Sequence, residues 1–209
     1  EDYALFFKLL SEVTKQFKAE IHAYALMPNH YHLIVHTPCG NLSRIMRHIN
    51  GVYTQIINKK YKLEGSVFRG RYKSILIQAD SYLLELVRYV HRNPLKAKLE
   101  KRLGDHKWTS HRAYMRDKEC PKWLTTDEVL RQFSRHKKEA QKQLAVFVRK
   151  EPERELEKML DSYKWPIMLC GDDFKAQIKE MILGEEIDER ELPDYRAMKR
   201  DRMSAEDLM

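Results

Sequence analysis

The chain has 209 residues, 43% of them hydrophobic, and a formal net charge of +8. This length allows the core of one domain, or of one domain with a small second one. No apolar run approaches the ~18 residues of a membrane span, so the sequence predicts no membrane segment. The three cysteines are widely spaced and form no CxxC pair. This argues against a disulfide framework or a cysteine zinc site, and it fits a reducing cytoplasm.

The positive charge is concentrated in the first part of the chain. Residues 1–120 contain 21 Lys and Arg against 11 Asp and Glu, whereas the remaining residues contain 18 against 20. Such a basic segment suggests a polyanionic partner, most simply nucleic acid. A basic surface that serves only solubility is the alternative, and charge alone does not decide between the two.

Hydrophobic periodicity predicts alternating helices and strands in this basic part. The predicted elements are a helix over 2–18, strands over 20–27 and 30–37 joined by a Pro28-Asn29 turn, a helix from an Asn41 cap to about Lys60, a strand over 66–78, and a helix from Asp80. That helix should end near Asn93, because the residue before Pro94 avoids helical angles. The order predicts an α+β, ferredoxin-like fold with helices on one face of an antiparallel sheet.

After residue 118 the pattern becomes helical only. One helix is predicted to begin at Thr126-Asp127-Glu128, and another at Gly171-Asp172-Asp173 with its end at Gly184. The natural division is therefore a first domain over 1–118 and a helical accessory region over 119–209.

The second strand contains an unusual set of histidines. In "MPNHYHLIVHTP", residues 27–38, His30, His32 and His36 alternate and should point to the same side of a strand. Neutral imidazole is the commonest metal ligand in proteins, and two rings at i and i+2 can reach one ion. Histidines that only pack or face solvent are the alternative, and a third ligand nearby would favour the metal site.

Two polar residues on the third helix are candidates to complete such a site. Tyr89 borders the apolar stripe of this helix, and Asn93 follows one turn later on the same face. Taken singly, each has an ordinary explanation. A tyrosine beside a buried stripe usually only packs, and an Asn before Pro usually only ends a helix.

Four segments together resemble a known family. "YALMPNHYHLIV", "GSVFRGRYK", "DSYLLELVRYVHRNPLKA" and "WTSHRAY" are similar, in order and spacing, to the REP-associated tyrosine transposases. These belong to the wider single-tyrosine HUH transposases, also described as insertion-sequence-200-like. The resemblance covers residues 1 to about 118, and it continues more weakly through "CGDDFKAQIKE" and "ELPDYRAMKR".

The resemblance implies an activity and a site. His30-Tyr31-His32 match the HUH motif, in which Tyr31 replaces a usually bulky apolar residue, and Tyr89 matches the nucleophile. Asn93 matches the third ligand of a divalent metal, Mg²⁺ or Mn²⁺. The implied reaction is nicking and rejoining of single-stranded or hairpin DNA through a 5′-phosphotyrosine, by a cytoplasmic, nucleoid-associated monomer or homodimer.

The sequence departs from the family at both ends. Relatives begin with a further strand, central in the sheet, before the first helix, and some continue into a helix-turn-helix after "ELPDYRAMKR". The chain opens at Glu1 rather than Met and stops at Met209. We therefore expect a chain trimmed at both ends.

Basic residues on the third predicted strand suit DNA binding. Arg69, Arg71 and Lys73 alternate and would form a row on one face, with Phe68 and Tyr72 on the other. Such a row suits a single-strand backbone with stacked bases, whereas the alternative is an edge strand protected by charge. Further basic residues on the second helix extend this surface, among them Arg44 and Arg47.

Two other functions remain open. One is a domesticated protein that recognises repetitive hairpins without cutting them, and the intact His-Tyr-His triplet and Tyr89 argue against it. The other is a plasmid-type initiation nuclease with the same chemistry, which the specific match around "RYVHRNP" disfavours.

Overall fold

The structure is a computed structural model, and it describes residues 1–162 and 165–184. In the first part the elements are α1 (Asp2–Phe17), β1 (Glu20–Leu26), β2 (Tyr31–His36), α2 (Leu42–Tyr61), β3 (Leu76–Ile77), α3 (Ala79–Lys96) and α4 (Ser110–Met115). A 3₁₀ turn (Asp117–Glu119) leads to α5 (Asp127–Arg131), α6 (Lys137–Arg149), α7 (Arg154–Asp161), β4 (Met168–Leu169) and α8 (Asp172–Gly184). Among these helices, none is long and apolar enough to cross a membrane.

The predicted hairpin is confirmed. β1 and β2 pair antiparallel, with Leu26 opposite Tyr31 and Glu20 opposite His36. The turn closes through the Met27 amide, which donates to the carbonyl of His30 at 2.9 Å. This pairing places residues 32, 34 and 36 of β2 on one face of the hairpin and residues 31, 33 and 35 on the other.

Helices cover both faces of this hairpin. On one face the Tyr31 ring lies 4.7 Å from Phe6 of α1, and its hydroxyl donates to Asn50 of α2 at 2.7 Å. On the other face the ring of His32 lies 5.6 Å from that of Tyr89 of α3. The predicted α+β class is confirmed, but the helices lie on two faces rather than one.

The predicted strand over 66–78 is wrong except at its end. Only Leu76–Ile77 forms a strand, and it pairs in parallel with Met168–Leu169 instead of joining the hairpin. The chain bends before it, with Gly65 and Gly70 at φ 84° and 71°, in the left-handed region that favours glycine. An alternating pattern forms a strand only where another backbone pairs with it, and no described strand runs beside residues 66–75.

The end of α3 also differs from the prediction. The helix continues to Lys96 with Pro94 inside it. Proline removes one donor from the helix, but here it lies in the last turns. The amides of Ala97 and Leu99 still donate to the carbonyls of Asn93 and Pro94, each at 2.9 Å. Tyr89 and Asn93 consequently share one unbroken helix.

Residues after 118 pack on the hairpin and its helices. The ring of Trp123 lies 5.0 Å from Phe7 and 5.5 Å from Tyr24, and the Thr125 amide donates to the carbonyl of Ile21 at 2.9 Å. The predicted helix starts near residues 126 and 172 are confirmed, with β4 as a short interruption, and α8 reaches Gly184, the last described residue. The "ELPDYRAMKR" segment, and with it the predicted continuation, lies outside the described residues.

Candidate functional site

His30 and His32 converge at the start of β2. Nε2 of His30 and Nε2 of His32 lie 3.1 Å apart. His30 places Nδ1 2.7 Å from the side-chain oxygen of Asn29. An amide oxygen only accepts hydrogen bonds, so Nδ1 of His30 carries the proton and Nε2 presents its lone pair. A hydrogen bond of this kind orients a metal-binding imidazole.

Both rings are held in the neutral form that a metal ion requires. Burial, followed by the neighbouring charge of His30, lowers the pKa of His32 to about 4. Burial also lowers the pKa of His30. Imidazole must be unprotonated to coordinate a metal ion, so these shifts favour coordination at neutral pH.

One helix brings the other two candidate residues to this pair. The Tyr89 ring stands perpendicular to that of His32, and Asn93 forms a side-chain hydrogen bond with the His32 ring. The amide nitrogen of Asn93 donates to the carbonyl of Tyr89 at 3.0 Å, so the amide oxygen is the atom that can accept from the His32 ring. The structure therefore brings together all four residues, His30, His32, Tyr89 and Asn93. Two neutral imidazoles and an amide oxygen suit a divalent ion that accepts nitrogen and oxygen ligands.

An acidic residue from α7 completes the surroundings of Tyr89. The Tyr89 hydroxyl donates to Oδ1 of Asp161 at 3.2 Å, and Lys96 forms ion pairs with Asp161 and with Glu157. Burial, followed by the charge of Asp161, raises the pKa of Tyr89 to about 12. Tyr89 is therefore a neutral phenol at physiological pH.

These neighbours were not predicted from the sequence. Asp161 lies 72 positions from Tyr89 in the sequence, and no local pattern predicts a contact at that separation. Lys96 lies seven residues after Tyr89 on the same helix, and that spacing could have indicated it. His91 and His36 contact other groups, at 2.8 Å from Ser110 and from Glu20. Asp161 is therefore the acceptor that the structure places at the Tyr89 hydroxyl.

The predicted basic residues lie elsewhere. Because residues 66–75 form no strand, the expected row on one strand face is wrong, although its three cations are all exposed: Arg69, Arg71 and Lys73. Phe68 lies 5.9 Å from Tyr31, and the Tyr72 hydroxyl bonds to Ser43 of α2 at 3.0 Å. Tyr31 points to the face of the hairpin opposite His32, so this segment packs away from Tyr89. On α2, Arg44 and Arg47 are likewise exposed.

Comparison with known proteins identifies one family. A family model described as "Transposase IS200 like" matches residues 2–93. The match ends at Asn93 and includes His30, His32 and Tyr89. No curated protein and no solved structure matches the chain.

Proposed function

We propose that this protein, whose residues 2–93 match the family model of IS200-like transposases, is a metal-dependent transposase that nicks and rejoins hairpin-forming single-stranded DNA. The observation that carries the proposal is the meeting of two imidazole nitrogens, 3.1 Å apart, with Tyr89 and Asn93 of one helix. We assign the catalytic domain to residues 1–118 and an accessory role to 119–209, within a REP-associated member of the family.

His30, His32 and Asn93 would hold the divalent ion. When bound, the ion offsets the negative charge that develops on the scissile phosphate. Imidazole ligands suit Mn²⁺, whereas Mg²⁺ prefers oxygen, and the family resemblance favours one of these two ions. Asn29 would keep the His30 ring oriented through its 2.7 Å hydrogen bond.

Tyr89 would be the nucleophile. Its phenol oxygen attacks phosphorus while the bond from phosphorus to the 3′ oxygen breaks, which gives a 5′-phosphotyrosine and a free 3′ hydroxyl. Because its pKa is raised to about 12, the proton must leave as the new bond forms. Attack by the 3′ hydroxyl of another end on the phosphotyrosine would then rejoin DNA and restore the phenol.

The exposed cations would bind the DNA backbone. Phosphate contacts supply most of the affinity of such proteins, without sequence preference. The proposed contacts are Arg69, Arg71, Lys73, Arg44 and Arg47, all exposed in the structure. They would hold single-stranded or hairpin DNA on a monomer or homodimer in the cytoplasm, at the nucleoid.

One observation favours the second candidate, a protein that binds hairpins without cutting. Tyr89 is only 6% exposed, and its hydroxyl already bonds to Asp161. A scissile phosphate must displace this contact before attack. If the contact never opens, the protein binds DNA and forms no covalent link.

Detection of the covalent link tests the proposal. Labelled hairpin DNA is incubated with the protein and Mn²⁺, and the mixture is then denatured. Mass spectrometry of peptides from the covalent adduct locates the link. We expect the link on Tyr89, its loss in Tyr89→Phe, and its persistence in Tyr82→Phe, a matched change two turns earlier on α3. A link on Tyr82 would overturn the assignment. No link with any divalent ion or hairpin would favour the non-cutting protein.

A further inference from the structure

Three metal-ligating side chains cluster at the other end of the hairpin. Glu20 and His22 alternate along β1, and His36 lies opposite Glu20 on β2. One ligand atom from each lies within 4.8 Å of those of the other two. The pairing register shifts between Ile21 and Ala23, so His22 is the inserted residue of a β-bulge. Bulges re-aim side chains and are common beside functional sites.

The contacts of the buried His22 ring favour a cation beside it. This residue is 3% exposed, and both ring nitrogens face oxygens that only accept hydrogen bonds. Nδ1 lies 3.2 Å from the carbonyl of Thr125, and Nε2 lies 3.3 Å from the carboxylate of Glu128. A neutral imidazole has one N–H. If Nδ1 donates to the carbonyl, a lone pair on Nε2 faces a carboxylate, which is unfavourable unless a second proton or a cation lies there.

His36 supplies the second imidazole. Its Nδ1 lies 2.8 Å from a carboxylate oxygen of Glu20, and its ring is nearly parallel to that of His22, with centroids 6.4 Å apart. The side chains of His36 and Glu20 are 59% and 44% exposed, so an ion can enter from solvent. Two imidazoles with carboxylate oxygens form a donor set typical of Zn²⁺, which takes four ligands.

We propose that Glu20, His22 and His36 bind a Zn²⁺ ion, with water in the fourth position, as in other zinc sites that have three protein ligands. The ligands come from β1 and β2, so the ion ties the two strands together at the open end of the hairpin. His36 lies four residues after His32 on the same strand face, about 13 Å along the strand. The site is therefore separate from the His30–His32 pair and does not depend on the proposed DNA chemistry.

Zinc titration of a variant that lacks the first histidine pair tests this site. In the full chain carrying His30→Ala and His32→Ala, we expect calorimetry to find one Zn²⁺ bound per chain. Adding His36→Ala or Glu20→Gln should weaken that binding at least about tenfold, since loss of an outer-shell partner alone costs 10–100-fold. Zn²⁺ should also raise the melting temperature of the background variant, because an ion that binds only the folded state stabilises it.

The control is His48→Ala in the same background. His48 also faces a carboxylate, that of Glu12 at 3.4 Å. Among the described residues, however, these two side chains belong to no cluster of three metal-ligating groups. Its removal should leave zinc affinity unchanged. No zinc bound by the background variant, or unchanged affinity after both His36→Ala and Glu20→Gln, would overturn the proposal. His22→Ala would remove a buried ring and could unfold the protein, so the test relies on the exposed side chains of His36 and Glu20. The test measures zinc binding and does not depend on DNA cleavage.

Discussion

The hydroxyl of Tyr89 donates a hydrogen bond of 3.2 Å to the carboxylate of Asp161, which joins α3 to the end of α7. This contact places a negative charge where the proposed chemistry would bring the negative scissile phosphate. It also stabilises the protonated phenol, because forming a phenolate beside a carboxylate costs Coulomb energy. Helix α7, which lies outside the matched residues 2–93, therefore influences Tyr89, the residue on which the proposed chemistry depends.

Replacing Asp161 should make Tyr89 easier to ionise. Burial first and the charge of Asp161 second raise the pKa of Tyr89 to about 12, so Asp161→Asn should lower this pKa toward its ordinary value. Ultraviolet difference titration against Tyr89→Phe measures the change. The rising limb of the pH–cleavage profile should move to lower pH, because more phenolate exists at each pH.

A matched control for this change is Glu157→Gln. Glu157 pairs with Lys96 at 2.8 Å, one turn before Asp161 on α7. It should move the profile less than Asp161→Asn does. If Asp161→Asn instead slows cleavage strongly while the limb stays in place, Asp161 is the group that accepts the phenol proton.

Removing His30 or His32 should separate DNA cutting from DNA binding. His30→Ala or His32→Ala deletes one of the two nitrogens that converge within 3.1 Å, so we expect cleavage to stop and Mn²⁺ affinity to fall. Hairpin binding, measured by gel shift, should remain largely intact, because phosphate contacts by Arg and Lys carry most affinity. His48→Ala is the control, and a His32→Ala variant that cuts like wild type would contradict the metal assignment.

The basic segment before β3 should contribute to DNA binding through the charges of its side chains. Alanine at Arg69, Arg71 or Lys73 should weaken binding to unrelated sequences and reduce the salt slope by about 0.7 for each single-strand phosphate that the protein no longer neutralises. Binding measured across a salt series gives the slope. Lys142→Ala, an exposed lysine of α6, should leave it unchanged. An unchanged slope in the three variants would remove this segment from the DNA interface.

Local patterns predicted the elements whose causes are local. α1, the hairpin and α2 follow from periodicity and from the Pro28-Asn29 turn, and they form close to the predicted bounds. The strand over 66–78 failed because alternation does not reveal whether a pairing strand exists. Near its end, Leu76–Ile77 pairs with Met168–Leu169, about ninety positions away, which no local pattern could indicate.

In the candidate site too, some residues could be predicted from local patterns, whereas other contacts arise only in the folded chain. His30 and His32 are neighbours in sequence, and Tyr89 and Asn93 are one helical turn apart, so each pair could be predicted locally. The family resemblance joined the two pairs, and the structure brings them together. Contacts made across the fold, such as that of Asp161, required the folded chain.

Two buried histidines should make the fold sensitive to acid. His91 is fully buried, with Nε2 2.8 Å from the Ser110 hydroxyl and Nδ1 3.4 Å from Nδ1 of His111. Burial lowers the pKa of His111 to about 4, and burial followed by the charge of His111 lowers that of His91. In the unfolded chain both rings should titrate near pH ~6.5. Between these values the unfolded state binds more protons than the native state.

The free energy of unfolding should therefore be highest above pH ~6.5 and should fall as the pH drops toward ~4. A shift of the size seen for His111 corresponds to a loss on the order of 3 kcal/mol. Urea unfolding across this range measures the slope. His111→Gln removes one titrating ring and should flatten the slope even if it lowers stability at neutral pH, whereas His136→Gln, at an exposed histidine, should not. A slope equal to wild type in His111→Gln would mean that this ring takes up its proton without unfolding.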